Sequence, residues 1–482
     1  MQIKKQVSIT REALKNKNIS EKKQKIILGE VKDKLERERT MKLSIKEGMA
    51  ASVMSGAGDA YISPFAIALN ANNAQIGLLS SIPQILSPLS QIFGSKLMEK
   101  YSRRRIIINF VSLQALMWLP ILTLGLFFWG NLFREYLPIL LIVIYSLYAG
   151  IGALASPAWF SLMGDIIPER IRGKYFSKRS RLTGATALIT TLSAAFFLDF
   201  FKTKGIVLVG FSIIFLVACI FRIISVFIFK KHYYPQFNLE KNYYFSIWQF
   251  LKKAPSNNFG RFTFYVSLMH FASAIAGPFF AVYMLRELGF SYIMFMLTII
   301  ATSITTLIVL PVLGKFSDRY GNRELLRSGS FLIPIIPFLW LFSKSPVYLI
   351  IVPSIISGLG WAAFNLASSN FIYDSVSVQR RGICIAYFNA IVGAGIFLGA
   401  ITGGLLAQYL EIGFMSKILF LFIISGILRF LAYLTIPVVK EIRQIKKPAS
   451  RYLVYLKEMK VVREDLYSIF NSVSHLFKQK SP

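Results

Sequence analysis

Gly314-Lys315-Phe316-Ser317-Asp318-Arg319-Tyr320-Gly321-Asn322-Arg323 has an echo 219 residues earlier, Ser95-Lys96-Leu97-Met98-Glu99-Lys100-Tyr101-Ser102-Arg103-Arg104. In both, an acid is followed by a base, a Tyr and a small residue, with Arg five positions after the acid. Each copy lies between long apolar runs. A turn this short and charged is incompatible with hydrocarbon, so it belongs at a membrane surface, joining two spanning helices. Glu99, Lys100, Arg104, Asp318, Arg319 and Arg323 are there free to pair with each other or with neighbouring helix ends.

Composition supports this. Of 482 residues, 55% are apolar and only 16% charged, against ~25% charged in a soluble domain. Apolar stretches reach the ~20 residues needed to cross a bilayer. The fold class is all-α integral membrane, with twelve spans read at 48–69, 75–93, 106–129, 137–163, 180–201, 205–229, 261–283, 289–313, 325–343, 346–370, 383–408 and 414–437. They form two six-helix units, 48–229 and 261–437, separated by a polar loop, 230–260. Basic tails, 1–47 and 438–482, flank them. Ile26, Ile27, Val31 and Leu35 space a short amphipathic helix within the first tail, with a solvated charged tail as the alternative.

The net charge of +32 would point to nucleic acid in a soluble protein. Here it sorts by side. Of the 55 Lys and Arg, 47 fall in the tails and even-numbered connections, six on the opposite side, and Arg222 and Arg429 inside spans. The positive-inside rule places both termini and the central loop in the cytoplasm, and leaves no nucleic-acid partner to invoke. The basic tails would attract anionic lipid at ~1 kcal/mol per residue. Cys219 and Cys384 offer neither a disulfide framework nor metal spacing. The first 47 residues lack the apolar core of a signal peptide.

The halves repeat. Asp165 is followed by Arg172-Gly173 at the same spacing as Asp374 by Arg381-Gly382. Gly150 and Gly152 match Gly358 and Gly360, Arg222 matches Arg429, and Ser63-Pro64-Phe65 matches Gly277-Pro278-Phe279. Matches in the same order with a slowly drifting offset identify a duplicated six-helix unit.

Two six-helix units, this loop after spans 2 and 8, and Asp…Arg-Gly after spans 4 and 10 resemble the major facilitator superfamily of secondary transporters. The resemblance covers about residues 48–437. The second copy is close to that family's G-x-x-x-D-R-x-G-x-R loop. The first departs from it, with Glu99 for Asp, Ser102 for the second Gly, and the first Gly replaced by Ser95 or shifted to Gly94. The resemblance implies two halves related by an axis along the membrane normal, with a midplane site between them. It also implies that the loop groups, with Asp165, Arg172, Asp374 and Arg381, link neighbouring helices and bias a two-state gating equilibrium. The alternative is that they only anchor topology.

Asp59 is the sharpest single site, mid-span within Ser55-Gly56-Ala57-Gly58-Asp59-Ala60-Tyr61. An ionised carboxylate there costs at least ~2.5–3.5 kcal/mol, so it needs a wet cavity or a partner. It suits a proton carrier, a cation counter-charge, or a structural bond to a neighbouring helix. Gly56 and Gly58 permit close approach or local unwinding. His270, mid-span in the second half, either titrates or packs. Arg222 and Arg429 read as matched structural groups with snorkelling side chains. Tyr61, Trp159, Tyr265, Trp361, Asn365, Asn370 and Asn389 are candidates to line a cavity. The glycines of span 11 form a small-residue face, and Pro83, Pro88, Pro334 and Pro337 are kink candidates.

There is no Walker loop, zinc spacing or acyl-transfer elbow, so no cofactor and no enzyme is expected. Span 5 lacks the Gly-Pro signature of the family's drug/proton antiporters. The expected function is secondary transport of a small organic solute by a monomer in the cytoplasmic membrane, with proton coupling through Asp59 as one option. The rival is a transport-inactive receptor or scaffold acting through its tails.

Overall fold

The computed structural model describes residues 21–235, 246–376 and 381–442. Most of the second tail and residues 1–20 of the first therefore lie outside the described residues, as do the side chains of Arg172 and Arg381. Within the described residues the chain is helical, with no strand.

The first compact unit holds α1 (Glu21–Ala57), α2 (Ile62–Ala68), α3 (Asn73–Leu97), α4 (Arg103–Leu116), α5 (Trp118–Trp129), α6 (Leu137–Ile166), α7 (Glu169–Thr203) and α8 (Val207–Lys230). Residues 278–296 and 400–409 also belong to it. Its core includes Ile107, Val111, Ala158, Leu162 and Met163, with aromatic packing of Phe65, Phe211 and Phe215 beside it. The second unit holds α9 (Ile247–Lys253), α10 (Asn258–Ala276), most of α12 (Tyr292–Tyr320), α13 (Asn322–Leu332), α14 (Ile335–Leu339), α15 (Pro346–Ser375), most of α16 (Arg381–Tyr409) and α17 (Lys417–Leu434), while the short α11 (Phe279–Val282) lies in the first. Phe262, Phe364, Phe371 and Leu325 centre the core of the second unit.

Ten helices are long and apolar enough to cross a membrane among the described residues. The two expected spans outside that number, 48–69 and 325–343, are both divided. The first breaks at Gly58, where φ is −109° and ψ −80°, and continues as a short 3-10 turn, Asp59–Tyr61, before α2. The second breaks ahead of Pro334, which has no N–H to continue a helix and opens α14.

The first helix differs from a short surface helix ahead of span 1. It runs unbroken for 37 residues, and Thr40, Ser44 and Glu47 on it are buried. Tyr175 donates to the Met41 carbonyl at 3.0 Å, the Tyr233 amide to Thr40 Oγ1 at 2.9 Å, and Arg37 to the Asp165 carbonyl. Burial raises the Asp33 carboxyl, but the Tyr233 hydroxyl and Arg37 outweigh it and hold it below its usual value. Polar contacts thus dock the outer half of α1, where apolar residues are few.

Candidate functional site

At the break in span 1 neighbours fill the space a side chain would need. A Cβ on Gly58 would lie 2.3 Å from the Trp118 ring, and one on Gly56 2.8 Å from the Ala187 carbonyl. The helix closes against α5 and α7, then unwinds. The Gly58 amide still reaches the Met54 carbonyl, but the Tyr61 amide turns back to Gly58. Tyr61 has no exposed surface and pins the turn by donating to the Thr191 carbonyl at 2.5 Å. Tyr61 is therefore packed into the unit rather than presented at a surface.

Asp59 sits at this break. Its Oδ1 is shielded from solvent and makes no hydrogen bond. The Tyr148 and Ser55 hydroxyls lie beside the carboxyl, and Tyr145 is within its electrostatic reach. Trp118, Tyr145 and Tyr148 form an aromatic wall, with ring centroids 4.9 Å apart for Trp118 and Tyr148 and 5.5 Å for Tyr145 and Tyr148. An under-bonded carboxylate at an interrupted helix is able to hold a proton, or to receive a cationic or donor group.

A second cluster is built around Glu47, twelve residues before Asp59, which the sequence alone places in the tail. Glu47 is 3% exposed. It accepts from Ser225 Oγ at 2.9 Å and faces Arg179 at 3.4 Å and Arg222 at 3.9 Å. Arg222 donates through Nε to Gln114 Oε1 at 2.9 Å, and Arg179 stacks 4.9 Å from the Trp159 ring. The spacing of Thr40, Ser44 and Glu47 along one helical face was the available signal.

In both loop motifs a neighbour of the expected residues is buried and bonded. Glu99, Lys100 and Arg104 are exposed. Arg103 instead is buried, donating to Asp165 Oδ2 at 2.6 Å, Ser161 Oγ at 3.0 Å and the Pro235 carbonyl at 2.9 Å. In the second unit Asp318 and Arg319 are exposed, while buried Asn322 donates to Asp374 Oδ2 at 2.6 Å and accepts from Asn370 at 3.1 Å. Gly321, at φ +91°, makes the turn that opens α13. Arg323 is tied to the segment after α17, by its amide to Glu441 and its Nε to the Val439 carbonyl, both at 2.7 Å.

The remaining candidates divide. His270 packs against Trp361 and Phe364, with ring centroids 5.2 and 5.8 Å away. Asn365 is exposed, and Asn389 is half-buried. Arg429 is 2% exposed and donates to Ser425 Oγ and to the Ile333 and Ser273 carbonyls, at 3.0, 3.2 and 3.3 Å. No cluster of metal-ligating side chains occurs among the described residues.

The family profile described as Major Facilitator Superfamily matches residues 48–267 and 262–473. Multidrug resistance protein 1 of Bacillus subtilis is 27% identical over 106 residues, 22% of this chain and 27% of that protein. The chain spans about a third or less of the length of the first curated relatives it matches. Among solved structures, the nucleoside transporter NupG has a TM-score of 0.60 at 14% identity, with 84% of this chain and 98% of that one covered. The inward-open xylose transporter XylE from E. coli has a TM-score of 0.61 at 15% identity, covering 84% and 98%. These likenesses are of fold.

Proposed function

The chain belongs to the Major Facilitator Superfamily, and on that premise we propose that it carries a small organic solute across the cytoplasmic membrane by alternating access. It crosses the membrane twelve times, the divided spans 48–69 and 325–343 included, with both termini in the cytoplasm. The positive-inside charge distribution supports that orientation. The observation that carries the functional reading is Asp59: a carboxylate with an unbonded oxygen, at a break in a membrane-spanning helix, beside the Tyr148 and Ser55 hydroxyls. Such a group is costly to keep for structure alone. In this reading Asp59 takes up and releases the coupling proton. The Arg103–Asp165 and Asn322–Asp374 contacts act as paired latches on the two-state equilibrium.

The test is counterflow and proton-driven uptake in proteoliposomes across a solute panel, with wild type beside Asp59→Asn. Loss of pH-driven accumulation with retained exchange is the expected result. Equal accumulation by both proteins places coupling elsewhere. A folded protein that moves nothing across a broad panel favours the receptor reading through the basic tails.

A further inference from the structure

A cavity of about 250 Å³ opens in the first unit, lined by Glu47, Gly152, Trp159, Phe160, Arg179 and Arg222 among others. It holds two guanidinium groups and one carboxylate, so its formal charge is positive. The carboxylate pairs with both cations, but loosely. Its contacts of 3.4 Å to Arg179 and 3.9 Å to Arg222 are long beside the ~2.7–2.9 Å of a closed charge-assisted hydrogen bond. Gln114 and Ser225 orient Arg222, whereas the hydrogen bonds of Arg179, to the Ser44 carbonyl and Glu47, are both 3.4 Å. Nothing in the transport reading uses these groups. Trp159 and Phe160 line the same cavity edge to face, with ring centroids 5.0 Å apart, and Arg179 lies over the Trp159 ring.

We propose that this cavity is a binding site for a small organic monocarboxylate with a planar apolar body. The ligand carboxylate sits between Arg179 and Arg222, replacing the loose contacts of Glu47. Its flat body lies against Trp159 and Phe160. The volume is below the ~300–1,000 Å³ of drug-sized pockets, which limits the ligand to about one ring and a short chain. The net charge selects against cations, and the guanidinium forks select a carboxylate over an amide of the same shape.

The experiment is equilibrium dialysis of radiolabelled benzoate against the purified full chain in detergent at pH 7, with benzamide as the uncharged competitor. Saturable benzoate binding, weakened by salt and not displaced by benzamide, is expected. Arg179→Gln weakens it about tenfold or more, the scale of one lost charge-assisted hydrogen bond. Glu47→Gln strengthens it, because the competing charge is gone. These opposite signs keep the test decisive if one variant misfolds. Absence of saturable binding to wild type, equal displacement by benzamide, or unchanged affinity in a folded Arg179→Gln or Glu47→Gln protein overturns the assignment.

Discussion

Arg103 meets Asp165 at 2.6 Å, and the same place in the second unit is filled by Asn322 meeting Asp374 at 2.6 Å. The third member repeats as well: Ser161 accepts from Arg103, and Asn370 donates to Asn322. The duplication therefore preserved a geometry while exchanging an ion pair for an amide–carboxylate hydrogen bond. Arg103→Ala should destabilise the protein by about 1–3 kcal/mol, because it strips a partner from Asp165 and Pro235. Arg104→Ala, on the exposed neighbour, should stay within about 0.5 kcal/mol. Thermal unfolding in detergent distinguishes them, and equal effects would contradict the assignment of Arg103 as the bonded base.

Gly58→Ala should cost about 1–3 kcal/mol by overpacking, since the added methyl meets Trp118 at 2.3 Å. Gly58→Ala combined with Trp118→Leu should recover part of that loss. The readout is the unfolding midpoint of the single and double variants, and additive losses would rule out a steric cause.

Arg222→Gln should be more harmful than Arg222→Gln combined with Glu47→Gln, because the single change leaves a buried carboxylate short of positive charge. The single loss is expected at about 2–4 kcal/mol, below the full cost of orphaning a buried charge because Arg179 remains. A double-mutant cycle measures it, and a coupling near zero would show that the two groups do not sense each other.

His232, just beyond α8, is buried, with the Leu43 backbone beside its ring as the one group that favours the protonated form. Burial, helped by the charge of Arg179, pushes its imidazole down to about 4. A freed ring titrates near ~6.5. Between those values the undocked segment binds more protons than the docked one, so docking strength rises with pH. As pH falls from ~6.5 towards 4, release of the 230–235 segment should increase, by up to about tenfold per pH unit. Hydrogen exchange at pH 7.5 and 5.5 reads this directly, with His232→Phe expected to flatten the response.

Much of this was legible in the chain. The repeated loop, the charge asymmetry and the matched Asp…Arg-Gly spacings disclosed the duplicated helical unit because each is a local pattern. Asp59 stood out because its surroundings are apolar for many residues on both sides. Glu47 did not stand out, because it closes a stretch rich in Lys and Arg, where a carboxylate looks solvated. Its partners, Arg179 and Arg222, are more than 130 residues away. Arg103 was passed over for Arg104 because a motif fixes spacing, whereas burial is decided by which side of α4 faces Asp165. Asn322 was missed for a different reason: pairing was sought among charges, and an amide N–H also donates to a carboxylate.

The continuity of α1 changes what it means to shorten this protein. At 1.5 Å per residue its 37 residues make a rod of about 55 Å, and the same rod carries Asp33, Arg37, Thr40, Ser44 and Glu47 before it reaches the break at Gly58. A truncation chosen at a composition boundary, near residue 47, would not trim an appendage. It would cut through a shaft, leaving Tyr175, Tyr233 and Arg179 facing an empty groove, and it would remove the only carboxylate in contact with Arg222 among the described residues.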